Sequence, residues 1–402
     1  MRILFVTPGL PNRLNRIRAL NILTYLAPRH EVDLLSIIRS DAELEELEHL
    51  RPLCRVIETV HLPRWKSLTS CLMHLPTRDP LRVAYYRSSV MRRKLRAMVE
   101  EGDYDLLYIK RKRMAQFADD ISSVPRVLDL TDAVSLYYKR SLQYVDPMRW
   151  PVHWEEYLKI SRYERDAVGR FEATVVCSEV DRAFLIDLGA PGERIHVIPN
   201  GVDIAYYRPR GNEPEPQSVM FSGYMSKHVN IDGAAYFYHQ ILPLVRQELP
   251  QVGFYVVGPE PPGSIERWSH GDGNITVTGF ARDIRDYIEL ATVVVCPIRI
   301  GAGTRNKILQ AWAVGRPVVS TPRGAEGLRF VDGKHLLIAD DPHEFARATV
   351  RLINDPDLRE RLIRNGLEHV RQEYSMERIG STLNDLLERV REHWKGRSSG
   401  GN

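Results

Sequence analysis

Residues 301–307 read Gly-Ala-Gly-Thr-Arg-Asn-Lys. The glycines Gly301 and Gly303 let a backbone approach an anion closely. A helix beginning just after them turns unpaired N–H groups and the positive end of its dipole toward that anion. Thr304 adds a hydroxyl, and Arg305 and Lys307 add two positive charges in the first turn. Cations there oppose the helix dipole, so stability alone does not favour them; a bound diphosphate accounts for their placement. Gln310 falls about one and a half turns into the same helix, within reach of ligand hydroxyls. An ordinary strand–loop–helix crossover with two exposed cations fits the same residues.

Other groups with chemical potential lie further upstream. Asp129 lies near the end of the run Arg126–Leu130 and Asp132 just after it, at a strand end where a carboxylate can orient a hydroxyl; helix capping by Asp132 is the alternative. His153, Glu155 and Glu156 flank Trp154 between helical stretches and offer acid–base groups, although surface or packing roles suit them equally. His228, near Gly223, is a candidate phosphate contact.

The elements that must hold these residues alternate. Strands are expected at Arg2–Val6, Glu31–Ile38, Asp105–Ile109, Arg126–Leu130, Ala173–Cys177 and Ile195–Ile198, with helical patterns between them, such as Arg16–Leu26. Strands that are apolar on both faces indicate a parallel sheet covered by helices. The pattern stops near Pro199-Asn200-Gly201-Val202-Asp203, and the Pro-rich stretch 207–217 reads as a linker. It restarts with strands at Ser218–Ser222, Gly253–Gly258, Ile275–Thr278, Thr292–Cys296 and Pro317–Ser320. From about residue 343 the chain is helical and charged, and its end, GRSSGGN, reads as disordered. The predicted fold is α/β: two Rossmann-like domains facing across a cleft, an N-terminal domain at 1–200, a C-terminal domain at 201–375, and a helix and tail at 376–402.

Composition narrows the function classes. The 402 residues are 43% hydrophobic and 27% charged, ordinary values for a globular chain. Mean hydropathy is −0.31, and no apolar run approaches the roughly 18 residues of a membrane span. The four cysteines are far apart with no C-x-x-C pair, which argues against a zinc site and a disulfide framework and fits a reducing cytosol. The opening MRILFVTPG has no long apolar core or cleavage site, so the expected location is cytoplasmic. No G-x-G-x-x-G follows the first strand and no P-loop occurs. Residues 51–113 carry 15 Lys/Arg against 6 Asp/Glu, beside Trp65, Leu68, Leu72 and Leu75. Such a stretch suits an anionic membrane surface on the inner face of the cytoplasmic membrane, through residues 64–113, or a phosphorylated ligand; a solvated helix face is the plain alternative. No nucleic-acid-binding motif is present, and nucleic acid is not expected as a partner.

Several segments together resemble a family. They are Gly301–Ala311 with Gly315–Thr321, Ile198–Asp203, Val277–Asp283, Phe221–Met225 with Asn230, Leu128–Asp132 with Ser135, and Ser178–Asp181. Taken in their order along the chain, they resemble the two-domain GT-B glycosyltransferases of family 4, and more closely the sugar transferases of exopolysaccharide and exosortase (PEP-CTERM) systems. The resemblance implies a retaining enzyme that moves a sugar from a nucleotide-diphosphate sugar to a hydroxyl of a glycan or lipid-linked acceptor, with no metal or other cofactor. Arg305 and Lys307 would neutralise the diphosphate and Gly301, Gly303 and Thr304 would donate to it. Gln310 would contact the ribose, Gly279 and Phe280 would line the base, and Gly223 would let its loop pass near the phosphates. The Pro8–Arg18 loop, with Arg18, and Asp129 and Asp132 would face the acceptor, and Asp132 is the third candidate catalytic group.

The sequence also departs from that family. A pair of glutamates spaced E-x7-E is replaced by Ala302 and Gln310. Glutamine carries no charge, and a charge-assisted hydrogen bond is roughly twice as strong as a neutral one. The first loop, Pro11–Arg18, lacks glycines, with Leu14 narrowing the donor's approach, and only Lys227 stands where a basic pair is usual. Two other readings stay open: a nucleotide-sugar epimerase on the same fold, and a weakened or non-catalytic relative that binds a sugar nucleotide.

Overall fold

A computed structural model describes residues 1–14, 16–301 and 303–399 of the chain. The chain divides into two compact units, Met1–Pro199 with Ile379–Asn402, and Asn200–Arg378.

The first unit is built on a parallel sheet of seven strands among the described residues: β1 (Arg2–Thr7), β2 (Glu31–Ile38), β3 (Val56–His61), β4 (Leu106–Lys110), β5 (Arg126–Thr131), β6 (Ala173–Val176) and β7 (Ile195–Val197). Their order is β3-β2-β1-β4-β5-β6-β7. The chain winds outward from β1 in one direction, then returns to lay β4 on its other side. The switch point between β1 and β4 is where open α/β sheets leave a crevice beyond the strand carboxyl ends. The central strands earn their positions by burial: Ile3, Leu4, Phe5 and Val6, and Leu106 to Ile109, are fully enclosed. Phe5 and Tyr108 stack across the β1–β4 pair, 4.9 Å between ring centres.

The second unit repeats the plan with β8 (Ser218–Ser222), β9 (Gly253–Val257), β10 (Ile275–Gly279), β11 (Val293–Cys296), β12 (Val318–Ser320) and β13 (Leu337–Ile338), ordered β10-β9-β8-β11-β12-β13 and parallel throughout. Its switch point lies between β8 and β11. Phe221, Phe237, Phe254, Trp312 and Phe345 fill its core.

Three differences from the sequence reading have physical causes. The edge strands β3 and β13 were not anticipated: β3 is largely half-exposed and mixes apolar with polar residues, and β13 is two residues long, so neither carries the continuous apolar run of a buried strand. The segment 396–399, read as disordered, continues the helix Met376–Ser399, which packs from Ile379 onward with the first unit. Its buried Ile379, Leu383, Leu386 and Leu387 set the helical stripe that carries the polar end along. His153, Glu155 and Glu156, placed between helices, lie inside the helix Trp150–Arg170.

Candidate functional site

In the second unit, β11 ends at Cys296 and the chain runs through a glycine loop into the helix Asn306–Val314. Gly301 has φ 132° and Gly303 φ 79°, conformations that L side chains rarely adopt. A Cβ on Gly301 would overlap the Arg305 guanidinium, which folds back over that glycine. Arg305 itself stands at the cap of the helix in an extended conformation and offers no side-chain acceptor to the first-turn N–H groups. A guanidinium has only donors, so it cannot do the work of a Ser or Asp cap. It sits one position before the helix proper, not within its first turn. Thr304 is 8% exposed, and among the described residues its hydroxyl has no hydrogen-bond partner. Ala302, the other residue of this loop singled out in the sequence, lies outside the described residues.

Lys307 completes the cluster. Its ammonium reaches Asn230 Oδ1 at 3.2 Å and lies 3.9 Å from the centre of the Phe221 ring. Among the described residues no carboxylate stands within 4 Å of it. Burial pulls its pKa down to about 8, and the charges of Arg305 and Lys227 push the same way. Two cations are therefore held close together beside an uncapped helix start and an unpartnered hydroxyl. An anion with several oxygens relieves all three conditions at once.

Glycines let the surrounding loops pack closely against one another. Gly223 follows β8, and a Cβ there would meet the Asn230 side chain at 2.6 Å. Gly258, after β9, has φ 146°, and a Cβ on it would run into the Gly223 carbonyl, so two loops approach backbone to backbone. Gly279 ends β10 with φ 63°, and its carbonyl accepts from Gly258 N–H at 3.2 Å. Phe280 beside it is 61% exposed, an aromatic face turned to solvent at a strand end. Gln310 is buried, and its amide nitrogen donates to the Tyr207 hydroxyl at 2.9 Å. His228 begins the helix His228–Tyr236. The role of Asn230 as the partner of Lys307 was not read from the sequence, because the two are 77 residues apart and meet only through the β8–β11 switch point.

The candidates of the first unit part company. Arg18 lies in the helix Ile17–Leu26, not in the preceding loop, and is buried. Its Nε donates to Asp129 at 3.1 Å, and its terminal nitrogens donate to the carbonyls of Pro199 and Ile198 at 2.8 and 2.9 Å. Asp129 is fully enclosed and also accepts from Tyr108 and Lys110, each at 2.7 Å, and from Thr131 at 3.0 Å. Burial alone would raise its pKa, but Arg18 and Lys110 outweigh that and hold it far below the usual carboxylate range. These two residues, expected to face an acceptor, instead tie the start of the first helix to the sheet and to the end of the unit.

Asp132 is partly exposed. It pairs with Arg111 at 3.3 Å and accepts from the Cys177 thiol at 3.1 Å. Asp181 lies next to it and accepts from the Ala133 N–H at 2.9 Å. Burial and the nearby Asp132 push the Asp181 pKa up to about 7. Asp132 does not cap the following helix. Glu164, from the long helix Trp150–Arg170, accepts from the N–H groups of Val134 and Ser135 at 3.0 and 3.1 Å and from Lys112 at 2.7 Å. No local sequence signal marks Glu164, which arrives from 30 residues away. The non-glycine residues Arg111 and Thr131 have φ 72° and 70° at the ends of the neighbouring strands β4 and β5, a costly geometry that sets Asp132 where it is. Glu156 accepts from the N–H of Leu81 at 3.1 Å, and Glu155 pairs with Lys159 at 2.7 Å, so both have structural partners.

Comparison with known proteins adds identity to this geometry. Residues 17–206 match the family described as Glycosyltransferase Family 4, and residues 216–355 match Glycosyl transferases group 1. A lipopolysaccharide core biosynthesis glycosyltransferase, LpsE, of Rhizobium meliloti (strain 1021) is 29% identical over 211 residues, half of this chain and 59% of its own length. An uncharacterized 44.6 kDa protein in the cps region of Klebsiella pneumoniae is 22% identical over 173 residues, 41% of this chain and 45% of its own. The matches thus span about half the length of these curated relatives. Among solved structures, Anabaena Alr3699/HepE in complex with UDP superposes with a TM-score of 0.69 at 17% identity, over 97% of this chain and all of that one. Sucrose-phosphate synthase from Thermosynechococcus elongatus gives 0.71 at 17% identity, over 97% and 98%. No helix among the described residues is long and apolar enough to cross a membrane. With a family 4 domain in its first half, a group 1 domain in its second and two Rossmann-like sheets beneath them, the chain belongs to the GT-B glycosyltransferases.

Proposed function

We propose that the protein transfers a sugar from a nucleoside-diphosphate sugar to a hydroxyl of a glycan or lipid-linked acceptor in cell-envelope or exopolysaccharide synthesis, with retention at the anomeric carbon. The observation that carries this reading is Lys307: an ammonium beside a second cation, with no carboxylate within reach among the described residues and an unpartnered Thr304 hydroxyl close by in the chain. Structural neighbours holding UDP and UDP-glucose make uridine the first base to test.

In this reaction the bond from the anomeric carbon to the phosphate oxygen breaks, and its electron pair stays on the diphosphate. Arg305 and Lys307 would stabilise that developing charge, as would the first-turn N–H groups of the helix. The acceptor oxygen forms the new bond on the same face, and its proton passes to the departing phosphate oxygen. These cations replace the role a divalent ion would otherwise fill. Gly223 and Gly258 would keep the phosphate path open, Gly279 and Phe280 would flank the base, and Gln310 would meet the ribose. Asp132, a partly exposed carboxylate just past the end of β5, is suited to orient the acceptor.

Calorimetric titration of the full chain with UDP and UDP-glucose, followed by product analysis with and without acceptor, tests the proposal. Binding that is lost in Lys307→Ala, with transfer seen only when acceptor is present, supports it. Sugar isomerisation without acceptor would point to an epimerase instead. Wild-type binding by Lys307→Ala would remove the basis of the reading.

A further inference from the structure

The first unit holds a second cationic site, separate from the strand-end residues already described. A cavity of about 360 Å³ is lined by Cys71, Arg82, Tyr86, Arg113, Tyr138 and Val152, among others. Its polar groups are unusual in sign. Arg113 donates to the Tyr86 hydroxyl at 3.2 Å and lies 4.7 Å from that ring's centre. Arg82 donates to the Tyr138 hydroxyl at 3.0 Å, with its guanidinium 5.2 Å from the ring's centre. Arg39 stacks over Tyr85 and Tyr86, 4.6 Å from each. Among the described residues none of these three guanidiniums forms an ion pair with a carboxylate. The carboxylate in the wall, Glu156, is engaged with the N–H groups of Leu81 and Arg82. Burial lowers the pKa of Arg113 to about 10, with the neighbouring cations Arg111, Arg82 and Arg16 acting in the same direction. Unpaired guanidiniums in an aromatic-walled pocket match a phosphate, which a guanidinium grips with two parallel hydrogen bonds.

The wall of this cavity continues into a helix of inverted polarity. Arg64–His74 supplies Cys71 to the lining. It buries Ser67 and Ser70, the latter donating to the Ala84 carbonyl at 2.8 Å. It exposes Trp65, Leu68, Leu72 and Met73, each between 58% and 68%. Val152, on the other side of the cavity, is also 60% exposed. Polar groups inside and large apolar groups outside reverse the usual pattern, and a contiguous apolar face of this kind marks a contact with another apolar body.

We infer that the cavity between Arg82 and Arg113 holds the phosphate of an amphipathic acceptor, an apolar chain ending in a phosphate or diphosphate ester, with that chain lying along the outward face of the helix Arg64–His74. This rests on the transferase reading and narrows its acceptor to the lipid-linked class. The tyrosines give the pocket flat faces and hydroxyls, and the arginines give it charge; neither alone would hold a greasy chain, which the exposed Trp65 and Leu72 provide for.

The test is calorimetric titration of the full chain with farnesyl phosphate, farnesol and inorganic phosphate. Farnesyl phosphate is expected to bind the most tightly of the three. Arg82→Gln with Arg113→Gln should weaken it by about a hundredfold, the loss of two charged hydrogen bonds. Trp65→Ser with Leu72→Ser, which alters only exposed side chains, should weaken it by about tenfold. If the arginine variant melts early, Arg82→Lys with Arg113→Lys keeps the charge and removes the paired geometry, and should still weaken binding. Equal affinity for farnesol and farnesyl phosphate, or unchanged affinity in the charge variants, overturns the inference. If inorganic phosphate binds as tightly as farnesyl phosphate and the Trp65/Leu72 variant is unaltered, the ligand is a soluble anion and the lipid chain is refuted. UDP titration of the same wild-type protein reads the donor site separately, so failure there is not confused with failure here.

Discussion

The Gln310 amide donates to the Tyr207 hydroxyl at 2.9 Å, in a buried position three residues beyond Lys307 in the same helix. Where the family resemblance leads one to expect a carboxylate, this chain has a neutral group already engaged with a phenol. Gln310→Glu would give that phenol a charged acceptor and would present a carboxylate to any ribose hydroxyl. Affinity for the nucleotide sugar, measured by calorimetry, is expected to rise by up to about tenfold, since charge-assisted bonds are about twice as strong. A fall in affinity with unchanged melting temperature would show that the position does not meet the donor.

Lys307 ties donor binding to pH. Its pKa is lowered to about 8 in the free chain, so the ammonium is lost above that value unless an anion restores it. UDP affinity should fall by up to about tenfold per pH unit above pH 8. A lowered lysine also costs the folded state stability below its unfolded pKa, because folding disfavours the charged form. Lys307→Met should therefore melt no lower than wild type near pH 7 while losing UDP binding, as judged by thermal shift and titration side by side.

Asp129 behaves in the opposite sense. Its pKa is depressed by Arg18 and Lys110, so its contribution is present above the ordinary carboxylate pKa and disappears as pH falls below about 4. Asp129→Asn leaves two buried cations without their counter-charge and is expected to cost about 3–5 kcal/mol. Chemical denaturation at pH 7 and at pH 3 checks both parts: the gap between wild type and variant should be large at pH 7 and narrow at pH 3.

Gly258 tests the close approach of the two loops beside the site. A Cβ there would press on the Gly223 carbonyl at φ 146°. Gly258→Ala should lower stability by about 1–3 kcal/mol and weaken UDP binding, because the Gly223 loop must retreat. Unchanged melting and unchanged UDP affinity would show that the loops tolerate separation.

What the sequence determined by itself was the periodic and local part. Central strands such as Arg2–Thr7 and Leu106–Lys110 are apolar on both faces, and that burial demand admits a parallel sheet covered by helices and little else. The loop from Gly301 to Lys307 was equally legible, since its glycines, hydroxyl and cations are adjacent in the chain. Edge strands were not legible: Val56–His61 carries no continuous apolar run, and most of it is only half-buried. Tertiary structure alone decided the partners of buried charges. Arg18 and Asp129 are 111 residues apart and neutralise each other in the core, Glu164 caps a helix from 30 residues downstream, and Lys307 meets Asn230 instead of a carboxylate. Charge pairing depends on distance in space, and the desolvation that makes it decisive appears only when the chain is packed, so no spacing along the sequence encodes it.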